Sequence, residues 1–400
     1  MLELQRESAS ETRRRKTSRR SEIQPFLVMQ VLAAANARAA AGGDVLHLEV
    51  GEPSGGPPAL AIEAARTALT GQALGYSEAL GLRPLRAAIA AHYATTYDVG
   101  VPLERIAITA GASGGFILAF LAAFDAGARV ALAAPGYPAY TNILKALDIE
   151  VVSIPTTAEN GFQPTLAELE ALRPPIDGLI IASPANPTGT VMPAKQLAAI
   201  AEWCRHRGVQ LISDEIYHGI TYGTTPSTAL ATSSDAVIVN SFSKYWGMTG
   251  WRVGWLVLPD EMVRPVERLA QSLFISPSSI GQHAAIGALA AAEELDRRVE
   301  AFARNREVLL EALPAMGISE IAPPDGAFYL YADISRFGLD AVTFCERLLA
   351  DTGVAITPGN DFDAERGSRF VRLSFAGSAA SIDAAIERLS PWLDRFRGVG

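Results

Sequence analysis

The chain has 400 residues, of which 49% are apolar and 19% are charged, and its formal net charge is −9. This length exceeds one ordinary hydrophobic core and predicts two subdomains. The acidic balance disfavours a nucleic-acid-binding protein, whose surface is normally basic. Cys204 and Cys345 fall in apolar, helical segments, which predicts buried free thiols in a reducing, cytoplasmic compartment.

The N-terminal segment is rich in arginine. Residues 1–20 contain seven Arg or Lys and three acidic residues, and they lack the apolar region of a secretory signal. The interspersed Glu3, Glu7 and Glu11 disfavour a transit peptide, so we predict a disordered tail over residues 1–24. The longest apolar run, residues 114–124, is too short to span a bilayer, and the five histidines lack metal-ligand spacing. Neither a membrane segment nor a metal site is predicted.

Helical and strand-like patterns alternate between residues 59 and 243. The patterns predict helices over 59–69, 82–97, 113–124, 138–147, 165–172 and 194–208, and strands over 105–111, 129–135, 150–155, 177–184, 209–215 and 235–243. Such alternation is typical of βαβ units. We therefore predict an α/β fold with a mostly parallel sheet covered by helices on both faces.

The C-terminal part of the chain has a different pattern. A long helical stretch over 281–313 is followed by strand-like segments at 326–334, 354–359 and 369–376, and by helices over 340–353 and 381–396. This pattern predicts a smaller α+β domain.

Polar residues follow four predicted strands, at the edge where parallel sheets bind ligands. The small residues of "TAGASGGF" open a helix whose backbone amides could hold a phosphate. Ser241, Ser243 and Arg252 could add phosphate ligands, although each also fits a polar turn. Asp214 ends an apolar strand, where a buried carboxylate needs a partner such as a protonated ring nitrogen.

Lys244 is unusual in this Arg-rich chain, because only four of the 34 basic residues are lysines. Unlike a guanidinium, a desolvated amine can lose its proton and attack a carbonyl. Together with the phosphate cradle, Asp214 and the donors Tyr217 and Asn186, this lysine indicates pyridoxal phosphate bound as a Schiff base. The alternative is that these are ordinary loop residues of another α/β protein.

The chain resembles a fold-type I, pyridoxal-phosphate-dependent class I/II aminotransferase, of the aspartate aminotransferase superfamily. The matching motifs, in the family's order, are "LEVGEPSGGPP", "GYSEALGLRPLR", "TAGAS", "APGYPAY", "SPANPTG", "SDEIY", "SFSKYWGMTGWRVGW" and "FVRLSFA". The resemblance extends from about residue 25 to the C-terminus. It implies a large cofactor-binding domain over 59–295, a small domain from 25–58 plus 296–400, and a homodimer with active sites shared across the interface.

The resemblance also implies roles for individual residues. Lys244 forms the Schiff base and then moves the proton between the substrate α-carbon and C4′ of the cofactor. Asp214 pairs with the pyridinium, Tyr137 stacks on the ring, and Tyr217 and Asn186 bind the ring hydroxyl oxygen. The phosphate is held by Gly111, Ala112, Ser113, Ser241, Ser243, Arg252 and, from a second subunit, Tyr76. The substrate-binding residues are Gly51, Tyr137, Asn186 and Arg372, with Arg372 on the α-carboxylate.

The implied reaction is ping-pong transamination, through pyridoxamine phosphate, between an L-amino acid and a 2-oxo acid. Residues 271–282 contain neither Arg nor Lys, and Ser113 stands where some aspartate-specific members have lysine. A side-chain carboxylate would therefore lack a cation, so neutral, aromatic or aliphatic donors are expected. A lyase of the same fold, such as a cysteine-S-conjugate β-lyase, needs the same residues and stays open. A transcription regulator would need a winged helix-turn-helix, for which the residues before the match are too few.

Overall fold

The computed structural model describes residues 17–71 and 74–396. The helices are α1 (Leu27–Ala40), α2 (Ala59–Gly71), α3 (Arg83–Tyr97), α4 (Gly111–Ala123), α5 (Pro138–Ala146), α6 (Leu166–Ala171), α7 (Ala194–Arg207), α8 (Asp260–Leu273), α9 (Ser279–Leu289), α10 (Ala292–Ala315), α11 (Ala341–Thr352) and α12 (Ala379–Leu393). The strands are β1 (Leu46–His47), β2 (Ile106–Thr109), β3 (Arg129–Ala134), β4 (Glu150–Pro155), β5 (Gly178–Ala182), β6 (Gln210–Asp214), β7 (Val237–Ser241), β8 (Gly254–Val257), β9 (Tyr329–Asp333), β10 (Val354–Ala355), β11 (Thr357–Pro358) and β12 (Phe370–Ser374).

The largest sheet has seven strands in the order β2-β8-β7-β6-β5-β3-β4. All of them run parallel except β8, which is antiparallel to both β2 and β7. The central strands β5, β7 and β8 are buried except at Ala182, as expected for a sheet with helices on both faces. The predicted α/β fold class is confirmed. Strand β8 was not predicted, because a run of four residues is too short to show a period.

The predicted helix over 281–313 is two helices, α9 and α10, with a break at Ala290 and Ala291. The sequence contains no Gly or Pro at this break. Helix α9 packs closely on α2, and a Cβ on Gly287 would lie 2.3 Å from the Leu60 carbonyl oxygen. Tertiary packing, rather than a helix-breaking residue, therefore sets the end of α9. Helices α1 and α8 were also not predicted.

A second, smaller sheet has the antiparallel order β11-β12-β9, and β1 pairs in parallel with β10. Its apolar side chains form a core that is separate from the clusters around the large sheet. Helix α10 joins these cores, because Leu295 packs in one and Phe302 and Leu309 pack in the other. The predicted division between residues 295 and 296 falls inside this helix and stays a prediction.

Residues 1–16 of the predicted tail, which covers residues 1–24, lie outside the described residues. Of its remaining residues, Arg19–Ser21 form a 3₁₀ turn. The Arg20 guanidinium donates two hydrogen bonds to Asp148 (2.8 and 2.6 Å), and Asn142 donates to the Gln24 carbonyl (2.9 Å). Across residues 17–71 and 74–396, we find no helix with the length and apolarity needed to cross a bilayer.

Candidate active site

A cavity of about 300 Å³ lies at the carboxyl edge of the large sheet, against the small sheet. Most of the predicted site residues surround it. Those that line it are Gly51, Ala112, Ser113, Tyr137, Asn186, Asp214, Tyr217, Ser243, Lys244, Arg252 and Arg372. Gly111 and Ser241 lie directly behind this lining. Tyr76 does not line the cavity, and 84% of its surface is exposed.

One end of the cavity has the features of an anion site. Helix α4 begins there at Gly111, whose φ of +69° and position favour glycine, since a Cβ would lie 2.5 Å from the Arg252 guanidinium. The Ser241 and Ser243 hydroxyls are 2.9 Å apart, and the Ser243 amide donates to the Ser241 hydroxyl (3.1 Å). A helix N-terminus with nearby hydroxyls and a guanidinium matches the chemistry of a phosphate.

The Asp214 carboxylate ends β6 and is only 4% exposed. It accepts hydrogen bonds from the Ile216 amide (3.1 Å) and from the Tyr140 hydroxyl. Burial nevertheless raises the pKa of Asp214 from 3.8 to about 6. A cation beside this carboxylate would stabilise its charged form. Tyr140 was not predicted, although it lies in the first turn of α5, three residues after the N-cap residue Tyr137.

The Lys244 side chain is half-buried in the turn after β7. Its Nζ donates to the Gly51 carbonyl oxygen at 2.5 Å. Burial, with a smaller contribution from the Arg372 guanidinium, lowers the pKa of Lys244 from 10.5 to about 8. A substantial fraction of this amine is therefore neutral in weakly alkaline solution, as a nucleophile must be.

The Arg372 guanidinium is fixed on several sides. Its Nη1 donates to the Asn186 side-chain oxygen (2.9 Å), and its Nη2 donates to the Glu49 carbonyl. The rings of Tyr329 and Phe362 lie 4.4 and 4.8 Å from its central carbon. The Arg372 Nε is buried and has no hydrogen-bond partner among the described residues. An oriented guanidinium with an unused donor is suited to a ligand carboxylate.

Tyr329 is a second residue that the sequence did not reveal as part of the site. Its hydroxyl lies 2.8 Å from the Tyr217 hydroxyl, and its ring faces Arg372. A Cβ on Gly51 would lie 2.0 Å from the same hydroxyl oxygen. Glycine is therefore required at position 51 while Tyr329 keeps this place. The contact depends on the packing of β9 beside β12, which no local motif encodes.

These residues fit pyridoxal phosphate by their chemistry. The anion site suits the phosphate, and the buried carboxylate of Asp214 suits a protonated ring nitrogen. Lys244 supplies an amine that can be neutral, and Arg372 supplies a free donor for a substrate carboxylate. The buried Asp214 carboxylate carries most weight, because its hydrogen-bond partners among the described residues, the Ile216 amide and the Tyr140 hydroxyl, are both neutral donors.

Comparison with known proteins identifies similar chains. Residues 43–389 match the family model for aminotransferase class I and II. A valine–pyruvate aminotransferase from Mycobacterium tuberculosis is 51% identical over 378 residues, which cover 94% of this chain and 97% of the relative. An aspartate/prephenate aminotransferase from Thermus thermophilus is 34% identical over 360 residues, or 88% and 92% of the two chains. The crystal structure of an aminotransferase from Mycobacterium tuberculosis superposes with a TM-score of 0.94 at 50% identity, covering 95% of this chain and 100% of that one.

We expect Asp214→Asn to stabilise the protein in the absence of cofactor. Because the pKa of Asp214 is raised from 3.8 to about 6, the folded state binds this proton more tightly than the unfolded state. The associated stability is fully present below about pH 4 and is lost as the pH rises through about 6. The gain on substitution should be about 3 kcal/mol at pH 8 and about half of that at pH 5.

Urea unfolding of the cofactor-free variant and wild type at both pH values measures this gain. A gain that did not change with pH would contradict the assignment of the cost to a buried charge.

Proposed function

Because the chain belongs to the class I and II aminotransferase family, we propose that it moves an amino group between a branched aliphatic amino acid, typified by valine, and a small 2-oxo acid such as pyruvate. The predicted reaction class, pyridoxal-phosphate-dependent transamination between an amino acid and a 2-oxo acid, is confirmed by the family and the relatives. The same comparisons do not favour the lyase alternative.

The apolar wall of the cavity supports an aliphatic donor. The wall consists of Phe26, Val28, Met29 and Val50, which line the cavity together with Lys244 and Arg372. Within the part of the chain that the structure describes, the cations of this lining are Lys244, Arg252 and Arg372. We assign each of these to the cofactor or to the substrate α-carboxylate. A second carboxylate would lack a partner, whereas an apolar side chain gains free energy from burial.

We propose distinct tasks for the residues of the cavity. Bound pyridoxal phosphate supplies a ring that accepts electrons from the substrate α-carbon. Asp214 would keep the proton on the ring nitrogen, and Lys244 Nζ would take the α-proton and return it. Arg372 would orient the substrate through its α-carboxylate, with Asn186 holding the guanidinium. The phosphate would be held by Gly111, Ala112, Ser113, Ser241, Ser243 and Arg252.

Three other residues would contact the pyridoxal ring. Tyr137 would stack on it, and Tyr217 and Asn186 would bind its hydroxyl oxygen. Tyr217 is supported by the Tyr329 hydroxyl at 2.8 Å. The Gly51 carbonyl accepts a hydrogen bond from the Lys244 amine. It would contact the substrate once that amine has another partner.

We propose that two copies of the chain form a homodimer and that Tyr76 completes the partner's phosphate site. Tyr76 is exposed in a segment that contacts the start of α9, where the Ser279 hydroxyl donates to the Gly75 carbonyl, and Leu273, Phe274 and Ile275 are exposed in the segment before α9. Exposed apolar side chains of this size are typical of a protein–protein interface.

We also propose that the protein is cytoplasmic. The support for this location is that Cys204 and Cys345 are both buried as free thiols. Burial raises the pKa of Cys204 to about 12, which makes this thiol unreactive. The domain boundaries at residues 58/59 and 295/296 are likewise proposed.

The choice of substrate can be tested with a matrix of amino acids and 2-oxo acids. We expect valine to have a kcat/KM roughly a hundredfold above that of aspartate, because the wall is apolar and offers no further cation. Pyruvate should be an efficient acceptor. Single-turnover changes in cofactor absorbance measure each donor separately. A preference for aspartate or phenylalanine over valine would contradict the aliphatic assignment.

Lys244→Ala should abolish the covalent, borohydride-reducible attachment of the cofactor. In the wild type, the rate of attachment to the cofactor-free protein should rise with pH and level off above about 8, following the pKa of Lys244. Mass spectrometry after reduction measures attachment, and Lys145→Ala is the matched control, since Lys145 does not line the cavity. Attachment retained in Lys244→Ala would rule out this nucleophile.

The shared site predicts complementation between inactive subunits. Mixed dimers of Lys244→Ala and Tyr76→Ala should contain one site with both native residues, and they should bind cofactor at that site as tightly as the wild type. Dimers of Lys244→Ala with Asp214→Asn are the control, because each change alters the cavity of its own chain and neither site of the mixed dimer is then complete. Equal behaviour of the two mixtures would mean that Tyr76 does not act across an interface.

A further inference from the structure

The N-terminus of α1 is capped by a residue from the other end of the chain. The N-cap residue Phe26 makes no capping hydrogen bond through its side chain, and the first turn of α1 contains no acidic residue. Instead, the Asp361 carboxylate accepts hydrogen bonds from the amides of Leu27 (2.8 Å) and Val28 (3.2 Å). These bonds satisfy two unpaired donors, and the negative charge interacts favourably with the helix dipole.

The capped turn carries three residues of the apolar wall. Phe26, Val28 and Met29 all line the cavity that contains Lys244. The Phe26 ring lies 6.2 Å from the ring of Tyr137, and Met29 is 56% exposed. The position of the wall therefore follows the position of the first turn of α1.

Little of this helix is buried. Within Leu27–Ala40, all of which the structure describes, Ala35 is the only fully buried residue. A cavity of about 390 Å³ is lined by residues of both α1 and α11. At the opposite end, the Arg38 guanidinium donates to the carbonyls of Asp44 (3.1 Å) and Ala350 (2.9 Å). Between its two ends the helix packs through Val31 and Ala35 against Leu349 and Ala355. Loss of the Asp361 hydrogen bonds should therefore release mainly the first turn, which lies before this contact.

The residue after Asp361 connects the cap to the rest of the site. The Phe362 ring lies 4.8 Å from the Arg372 guanidinium. Its carbonyl accepts a hydrogen bond from the Gly136 amide (3.0 Å), next to Tyr137. One short segment therefore contacts the α1 terminus, Arg372 and the loop that carries Tyr137.

We propose that Asp361 is a positioning residue that holds the apolar wall against the substrate side chain. A donor whose side chain reaches the wall, such as valine, depends on the cap. Alanine has only a methyl group and does not depend on it. This inference rests on the proposed function only in assigning aliphatic side chains to the wall.

The test compares the half-reactions of valine and alanine in Asp361→Asn and Asp361→Ala. Asn keeps one acceptor but turns its NH₂ towards the other amide, and Ala removes both acceptors. We expect KM for valine to rise and its kcat/KM to fall about tenfold, with kcat/KM for alanine changed less than twofold. The matched control is Asp340→Ala, which removes the carboxylate that caps α11 at the Thr343 amide (3.0 Å) and does not line the cavity.

A second measurement follows the helix directly. Hydrogen exchange at the first amides of α1 should quicken in Asp361→Asn, while those of α11 should not change. If Asp361→Ala does not fold, Asp361→Asn alone is used for both the kinetic and the exchange measurements. An equal loss for valine and alanine, or no loss for either, would overturn the proposal.

The outcome can be separated from that of the substrate assignment. If the wild type does not use valine, the aliphatic assignment fails on its own. The role of Asp361 is then tested with the longest apolar donor that the wild type accepts, compared with the smallest one. An Asp361 variant that weakens both donors equally would again contradict the positioning role.

Discussion

The site depends on a carboxylate that the fold keeps away from water. Asp214 lies at the end of a central strand with hydrogen bonds from Ile216 and Tyr140, yet its raised pKa shows that these bonds do not compensate for its burial. A parallel sheet favours this arrangement, because its carboxyl edge opens where the strands end and the helices begin. The same edge brings the N-terminus of α4 and the turn that carries Lys244 to the cavity. A cation bound beside Asp214 would therefore offset the cost of burying its charge.

The cavity is made by two parts of the chain with separate cores. The large sheet contributes Asp214 and Lys244, whereas the small sheet contributes Arg372 and Tyr329. The Arg372 guanidinium joins these parts through its hydrogen bond to Asn186. Arg372 is consequently oriented for a substrate carboxylate only when both cores are packed against each other.

The sequence was sufficient for features encoded locally. The βαβ elements have clear hydrophobic periods, Asp214 is the last residue of a strand, and Lys244 lies in the turn that follows one. Tyr329 and Asp361 could not be predicted, because their contacts depend on which distant segments pair, as with Asp361 and the α1 amides 334 and 333 residues away. The end of α9 at Leu289 was missed for a related reason, since only the packing of α9 on α2 distinguishes Ala290 and Ala291 from the neighbouring alanines.

Helix α10 has a consequence for how the protein unfolds. It has 24 residues and contributes Leu295 to the core of the large sheet and Phe302 and Leu309 to that of the small sheet. A continuous helix of this length is about 36 Å long and behaves as one rigid rod. Melting either core would remove part of the apolar contacts that keep the rod helical, and this would destabilise the other core. The two cores should therefore melt as a single cooperative unit, although the chain is long enough to contain two independent ones.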